Sequence, residues 1–243
     1  MSTYVLVHGA WHGAWCWEKI VPLLERAGHR VLTLDLPGHG QDRTPTREVT
    51  LQAYTERVCR ALDAAAEPVI LVGHSMGGIV ITEAAERRPE KVKTLVYVSA
   101  FLLRDGESLA QIASGDPEAL VMPNLVVSED QASATLRPEA IRDAFYGSCS
   151  PEDAARGQSL LVPQPLAPFQ TPVHTTPARG GRVPRVYVEC LRDRAITPPA
   201  QRKMHAALPC RKVITMDTDH SPFYSAPQEL AGHLLAATEP IHI

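Results

Sequence analysis

A chain of 243 residues is long enough to bury a large core and fits one α/β domain, with or without an inserted subdomain. Its net charge of −3 offers no basic field to nucleic acid or an anionic membrane, and no apolar run approaches the roughly 18 residues of a membrane span. The cysteines Cys16, Cys59, Cys149, Cys190 and Cys210 are scattered, odd in number and without C-x-x-C spacing, which argues for reduced thiols over a disulfide framework or a zinc site.

The chain enters a strand pattern at residues 4–8 with no basic stretch or cleavage site ahead of it, so a cytoplasmic protein is expected. An excess of Arg over Lys, with abundant Ala and Pro, matches a GC-rich bacterial genome. Residues 18–27 read as a helix, with Ile20, Leu23 and Leu24 on one face and Gly28 closing it. Residues 30–34 form the next strand, ending in Asp35-Leu36-Pro37-Gly38-His39-Gly40, a loop that Asp35 is expected to organise. A helix over 51–65 follows, with Thr50 as its N-cap.

The apolar run Val69-Ile70-Leu71-Val72 then leads into Gly73-His74-Ser75-Met76-Gly77, and a helix over 76–87 comes directly after. Strand–turn–helix context turns G-x-S-x-G into a nucleophile elbow. A serine at so tight a turn has strained backbone angles, and a Cβ on its glycine neighbours would meet the adjoining strand and helix. Residues 92–98 read as another strand. This β-α-β-α order specifies a parallel sheet covered on both faces.

After Ala100 the rhythm breaks. Residues 101–184 mix short helical pieces with a proline-rich stretch from Pro163 to Pro184. The pattern resumes with a strand at 186–189, a helix through Met204 and Leu208, a strand at 213–216 and a last helix over 228–237. Residues 1–100 and 185–243 are therefore expected to form the core, a mostly parallel sheet of about six strands, and residues 101–184 a cap inserted over the site.

A serine needs a base, and the base needs an orienting acid; in this architecture they follow the serine as acid, then histidine. His220 lies after the last strand, whereas His233 falls inside the last helix. Asp193 follows the preceding strand, with Arg192 and Arg194 as competing partners. Asp105 is the alternative acid, and Asp219 is expected to bond local backbone. A second oxyanion donor should come from His8-Gly9-Ala10-Trp11-His12-Gly13, and Ala10 N–H is assigned to it alongside Met76 N–H. His8 and His12 lie on a glycine-containing loop without the H-E-x-x-H pattern, so no metal is expected there, and the serine mechanism needs no cofactor. Pocket candidates are Trp11, Met122, Phe145, Tyr146, Leu160 and Phe169, followed by Leu125, Leu161 and Leu166.

With these residues the chain resembles the α/β-hydrolase superfamily. More narrowly, it resembles the group of plant methyl esterases, hydroxynitrile lyases and bacterial esterase and pyrethroid hydrolase relatives. The resemblance rests on Val5-Leu6-Val7-His8-Gly9-Ala10-Trp11-His12-Gly13-Ala14-Trp15, Leu71-Val72-Gly73-His74-Ser75-Met76-Gly77-Gly78, Cys149-Ser150-Pro151-Glu152-Asp153, Val186-Tyr187-Val188 and Asp219-His220. It implies the α/β-hydrolase fold and a triad at Ser75, Asp193 and His220. The lyases of the group carry a lysine after the histidine, a threonine at the position of Gly9 and a Gly-Glu-Ser-Cys-Gly elbow. Here Ser221, Gly9 and Gly-His-Ser-Met-Gly stand in those places, which points to the esterase branch.

The expected function is hydrolysis of a small or medium, apolar or aromatic ester, such as a methyl ester in natural-product metabolism. The partner is then a small-molecule ester, with neither nucleic acid nor membrane, and a homodimer is left open. Alternatives are a ligand-binding protein with slow turnover, or a lactonase, thioesterase or carbon–carbon lyase using the same triad.

Overall fold

Alternation gives way to continuous burial in the central strands, the pattern of a sheet covered on both faces. In this computed structural model, which describes residues 1–237, the first strands are β1 (Thr3–Val7), β2 (Arg30–Leu34), β3 (Val69–His74) and β4 (Val92–Val98). Every residue of β3 is buried. The helices between them are α1 (Val21–Arg26), α2 (Leu51–Ala64) and α3 (Gly77–Arg87). α2 begins where Thr50 accepts Ala53 N–H at 3.0 Å, and it buries Leu51, Tyr54, Val58 and Leu62 at helical spacing.

The helix expected over 18–27 is shorter than its apolar spacing suggests. A 3₁₀ turn spans Ala14–Trp17, and α1 starts only at Val21. Pro22 lacks an N–H and fits only the first turn of a helix, which sets the start there.

Between β4 and the next core strand lie α4 (Leu109–Ser114), β5 (Leu125–Val127), β6 (Ser133–Leu136), α5 (Pro138–Phe145), α6 (Pro151–Leu160), β7 (Gln164–Pro165) and α7 (Ala167–Gln170). β5, β6 and β7 pair antiparallel as a separate small sheet. These strands have two to four residues, too few for a period of two to register in the sequence.

The core then resumes with β8 (Arg185–Cys190), α8 (Pro198–Ala207), β9 (Lys212–Met216), α9 (Pro222–Ser225) and α10 (Pro227–Ala236). The six core strands run parallel in the order β2-β1-β3-β4-β8-β9. Parallel pairing brings the carboxyl ends of β1, β3, β4, β8 and β9 to one edge, where ligands bind in open α/β sheets.

The segment between β4 and β8 is tied to that edge at several points. Trp11 N–H donates to Gln164 Oε1 at 3.3 Å, and Val162 N–H to Trp11 O at 3.0 Å. Asp116 accepts Thr197 N–H at 2.8 Å and its hydroxyl at 2.7 Å. Ser148 N–H donates to Asp219 Oδ2 at 2.8 Å. Behind the sheet, Glu86 on α3 accepts the N–H groups of Thr176 and Gly180, each at 2.8 Å.

Candidate active site

β3 ends in the Gly-His-Ser-Met-Gly turn, and α3 starts two residues past Ser75. Ser75 takes φ +54°, a left-handed conformation rare for a residue with a Cβ. Neighbouring backbone holds it there: its N–H donates to Val98 O at 3.3 Å, and its carbonyl accepts Phe101 N–H at 3.1 Å. A Cβ on Gly77 would lie 2.8 Å from Val7 O, and one on Gly9 would lie 2.7 Å from Ser75 Cβ. Glycine alone permits both approaches.

Asp193 follows β8 and His220 follows β9. His220 Nδ1 donates to Asp193 Oδ2 at 2.7 Å, with both residues at most 2% exposed. Asp193 Oδ1 accepts the N–H groups of Ala195 at 2.7 Å and Ile196 at 2.9 Å, and Oδ2 also accepts the Ser99 hydroxyl. These four donors, with Gln201 Nε2 as a fifth and longer one to Oδ2 at 3.5 Å, fix the plane of the carboxylate. Its flanking arginines turn away, Arg192 to Asp217 at 3.0 Å and Arg194 to Asp143 at 3.2 Å.

The loop after β1 carries Ala10 beside Ser75. Trp11 takes φ +61°, and its indole Nε1 donates to Ala134 O at 2.8 Å. His12 Nδ1 donates to Ala10 O at 2.7 Å, which leaves Nε2 to accept the Tyr146 hydroxyl at 2.8 Å. Burial pushes the His12 imidazole down to about 3, so it stays neutral and can accept that bond. His8 is likewise engaged at both nitrogens, to Gly9 O at 2.8 Å and from Leu36 N–H at 3.0 Å. Burial also holds His8 and His74 well below the ordinary imidazole value.

Ser75, Met76, Ala10 and His220 line one cavity of about 30 Å³, room for about two water molecules. Its other walls include Trp11, Phe101, Leu109, Met122, Phe145, Phe169 and Ile196, and no charged carboxylate, lysine or arginine. A larger hollow of about 640 Å³ beside Arg30, Glu67 and Lys93 lies at the opposite ends of the strands and contains none of these groups.

Five of the expected pocket residues stand outside the cavity lining. Phe145, the last residue of α5, faces the cavity, and one residue on the chain has turned away, so Tyr146 is buried under the His12 ring instead. Leu160 is half-buried at the end of α6, whose buried face is formed by Ala154 and Gly157. Leu125, Leu161 and Leu166 also lie outside the cavity lining.

The competing acids and base have other partners. Asp105 accepts His174 Nδ1 and Thr175 N–H, both at 3.0 Å, on the surface. His233 is 3.6 Å from Glu229 on α10. Asp219 bonds Ser221 N–H at 3.1 Å and the Ser225 hydroxyl at 2.7 Å, as expected locally, but also reaches Ser148 across the fold. Asp35 bridges two loops, accepting Ala14 N–H at 2.7 Å and Gln41 N–H at 2.9 Å. Sequence reasoning passed over Ser99, Gln164 and the tie between Tyr146 and His12. None carries a local pattern.

An all-parallel α/β sheet with a strained serine elbow at its carboxyl edge defines an α/β hydrolase. The alpha/beta hydrolase family model matches residues 4–233, and the chain belongs to that family. Its similarities are to methylesterase-like members. It is 35% identical to Methylesterase 2 of Arabidopsis thaliana, over 97% of this chain and 95% of that protein. A solved pyrethroid hydrolase from Sphingobium faniae superposes with a TM-score of 0.89 at 30% identity, covering 100% of this chain and 99% of that one. Tomato methylketone synthase I, solved with 2-tridecanone, superposes with a TM-score of 0.88 at 27% identity, covering 97% and 96% of the two chains. Among the described residues, no helix is long and apolar enough to cross a membrane.

Proposed function

We propose that this protein is a serine esterase that hydrolyses a small or medium, apolar or aromatic ester, with methyl esters foremost. The observation that carries the reading is the shared cavity: Ser75, on its strained turn, opens into the same apolar space as His220, whose Nδ1 is held by Asp193. His220 takes the Ser75 proton as Oγ attacks the ester carbonyl. The amides of Ala10 and Met76 receive the oxyanion, Met76 at the start of α3 where the helix dipole favours negative charge. His220 then protonates the leaving alcohol, and water cleaves the acyl-enzyme by the reverse sequence. Asp193 fixes the imidazole tautomer and balances its charge.

Residues 101–184 serve as the cap of this site, closing the cavity with Met122, Phe145 and Phe169. The apolar walls match an uncharged acyl group, and the similarity to methylesterases supports a small alkoxy leaving group. A second reading, ligand binding with slow turnover, is favoured by the tightness of the cavity, about 30 Å³.

The test is hydrolysis of p-nitrophenyl acetate and a panel of aromatic and aliphatic methyl esters by wild type and Ser75→Ala. Turnover in the wild type that falls by about three orders of magnitude or more in Ser75→Ala supports the esterase. Stoichiometric labelling of Ser75 without turnover across the panel supports the second reading. Equal activity in the two proteins refutes both.

A further inference from the structure

Three non-glycine residues with positive φ stand just beyond core strands: Trp11 after β1 (+61°), Ser75 after β3 (+54°) and Ser99 after β4 (+41°). Trp11 belongs to the oxyanion loop and Ser75 is the nucleophile of the proposed reaction. Ser99 has no part in that reaction as written. Glycine occupies this region of backbone space without steric cost, so what serine adds at position 99 is a hydroxyl.

That hydroxyl is fully buried. It donates to Asp193 Oδ2, the oxygen that also receives His220 Nδ1. The opposite oxygen is already occupied by the N–H groups of Ala195 and Ile196. Ser99 is itself rigidly placed, because its N–H donates to Val188 O on β8 at 2.8 Å. The preceding residue, Val98, supplies the carbonyl that holds Ser75 N–H. One short stretch of chain thus anchors the nucleophile on one side and the acid on the other.

We propose that Ser99 is a positioning residue, whose hydroxyl orients the Asp193 carboxylate and draws charge from the oxygen facing His220. This inference rests on the serine esterase reading above. Without the hydroxyl, Oδ2 keeps His220 Nδ1 as its principal donor, and the carboxylate gains freedom about its terminal torsion. The His220–Asp193 bond takes up the released charge, and the imidazole is held less well toward Ser75.

Ser99→Gly and Ser99→Ala, made in the full chain, test this. Glycine removes the hydroxyl and relieves the backbone; alanine removes the hydroxyl and keeps the strain. A residue retained for packing alone would make Ser99→Gly fully active. The expected result is a fall in kcat of about tenfold in both variants, with KM within about twofold. The far-downfield proton resonance of His220 Nδ1–H should move further downfield in both. Ser99→Gly should melt no lower than Ser99→Ala. Wild-type kcat together with an unmoved resonance in Ser99→Gly would overturn the inference. The resonance requires no turnover, so a wild type without esterase activity refutes the esterase reading alone, and the resonance still decides the role of Ser99.

Discussion

His74 Nε2 donates to the main-chain carbonyl of His220 at 2.7 Å, and the two rings lie 4.6 Å apart. The residue before Ser75 therefore holds the backbone of the loop that carries His220. Burial keeps the His74 ring neutral. Replacing His74 by leucine leaves the His220 carbonyl buried without its partner. His74→Leu should lose about 1–3 kcal/mol of stability and lower kcat about tenfold or more, with a smaller effect on KM. Thermal melts and steady-state kinetics check this; full activity would show that the loop holds itself.

Tyr146 supports the loop after β1 from beneath. Its hydroxyl donates to His12 Nε2, and His12 Nδ1 in turn donates to Ala10 O. Tyr146→Phe removes the donor, frees the imidazole to change tautomer and slackens the Ala10–Trp11 peptide, the one directly after the peptide that carries the proposed oxyanion donor. A kcat reduced about three- to tenfold is expected, with stability lower by about 1 kcal/mol. Unchanged kcat in a destabilised variant would confine Tyr146 to packing.

Met122 lines the cavity and is 36% exposed, so it can be trimmed without opening the core. Met122→Ala should shift selectivity toward longer acyl chains. The ratio of kcat/KM for p-nitrophenyl butyrate over acetate should rise several-fold, at a stability cost of about 0.5 kcal/mol. A constant ratio would place the acyl group elsewhere.

Acid should destabilise the fold well before its carboxylates titrate. His8, His12, His39 and His74 are all held below the ordinary imidazole value of 6.5, chiefly by burial. The unfolded chain therefore binds more protons than the folded one below that value. The stability these residues confer is complete above pH 6.5 and is lost as pH falls, down to about 3 for His12. Each contributes a slope of up to about 1.4 kcal/mol per pH unit. Glu83, raised by burial, acts in the opposite sense, but as one group against four. Melting temperatures from pH 7.5 to 5 should fall steadily; a flat profile would mean that these imidazoles do not stay neutral.

The core strands and the serine elbow were legible in the chain because each is a local pattern. A buried parallel strand is a short apolar run, and a nucleophile turn needs its glycines within four residues. Of the expected pocket residues, Trp11, Met122, Phe145 and Phe169 line the cavity, whereas Tyr146, one residue along from Phe145, lies against His12, because the end of α5 sets which side each faces. Pro22 carried the true start of α1 in plain view, yet the apolar spacing from Ile20 to Leu24 outweighed it.

Tertiary structure alone decided the rest. Asp35, Asp105, Asp193 and Asp219 all stand in loops beyond strands, and nothing in their local sequence measures the distance to His220. Only the packing of β8 beside β9 brings Asp193 to 2.7 Å from it and leaves Asp105 on the surface with His174. The hydroxyl of Ser99 meets a residue 94 positions away, and Trp11 N–H meets a side chain 153 positions away. Periodicity and propensity report which face of an element is apolar. Such distant hydrogen bonds follow from how the elements stack, which is settled by the packing of the whole core at once.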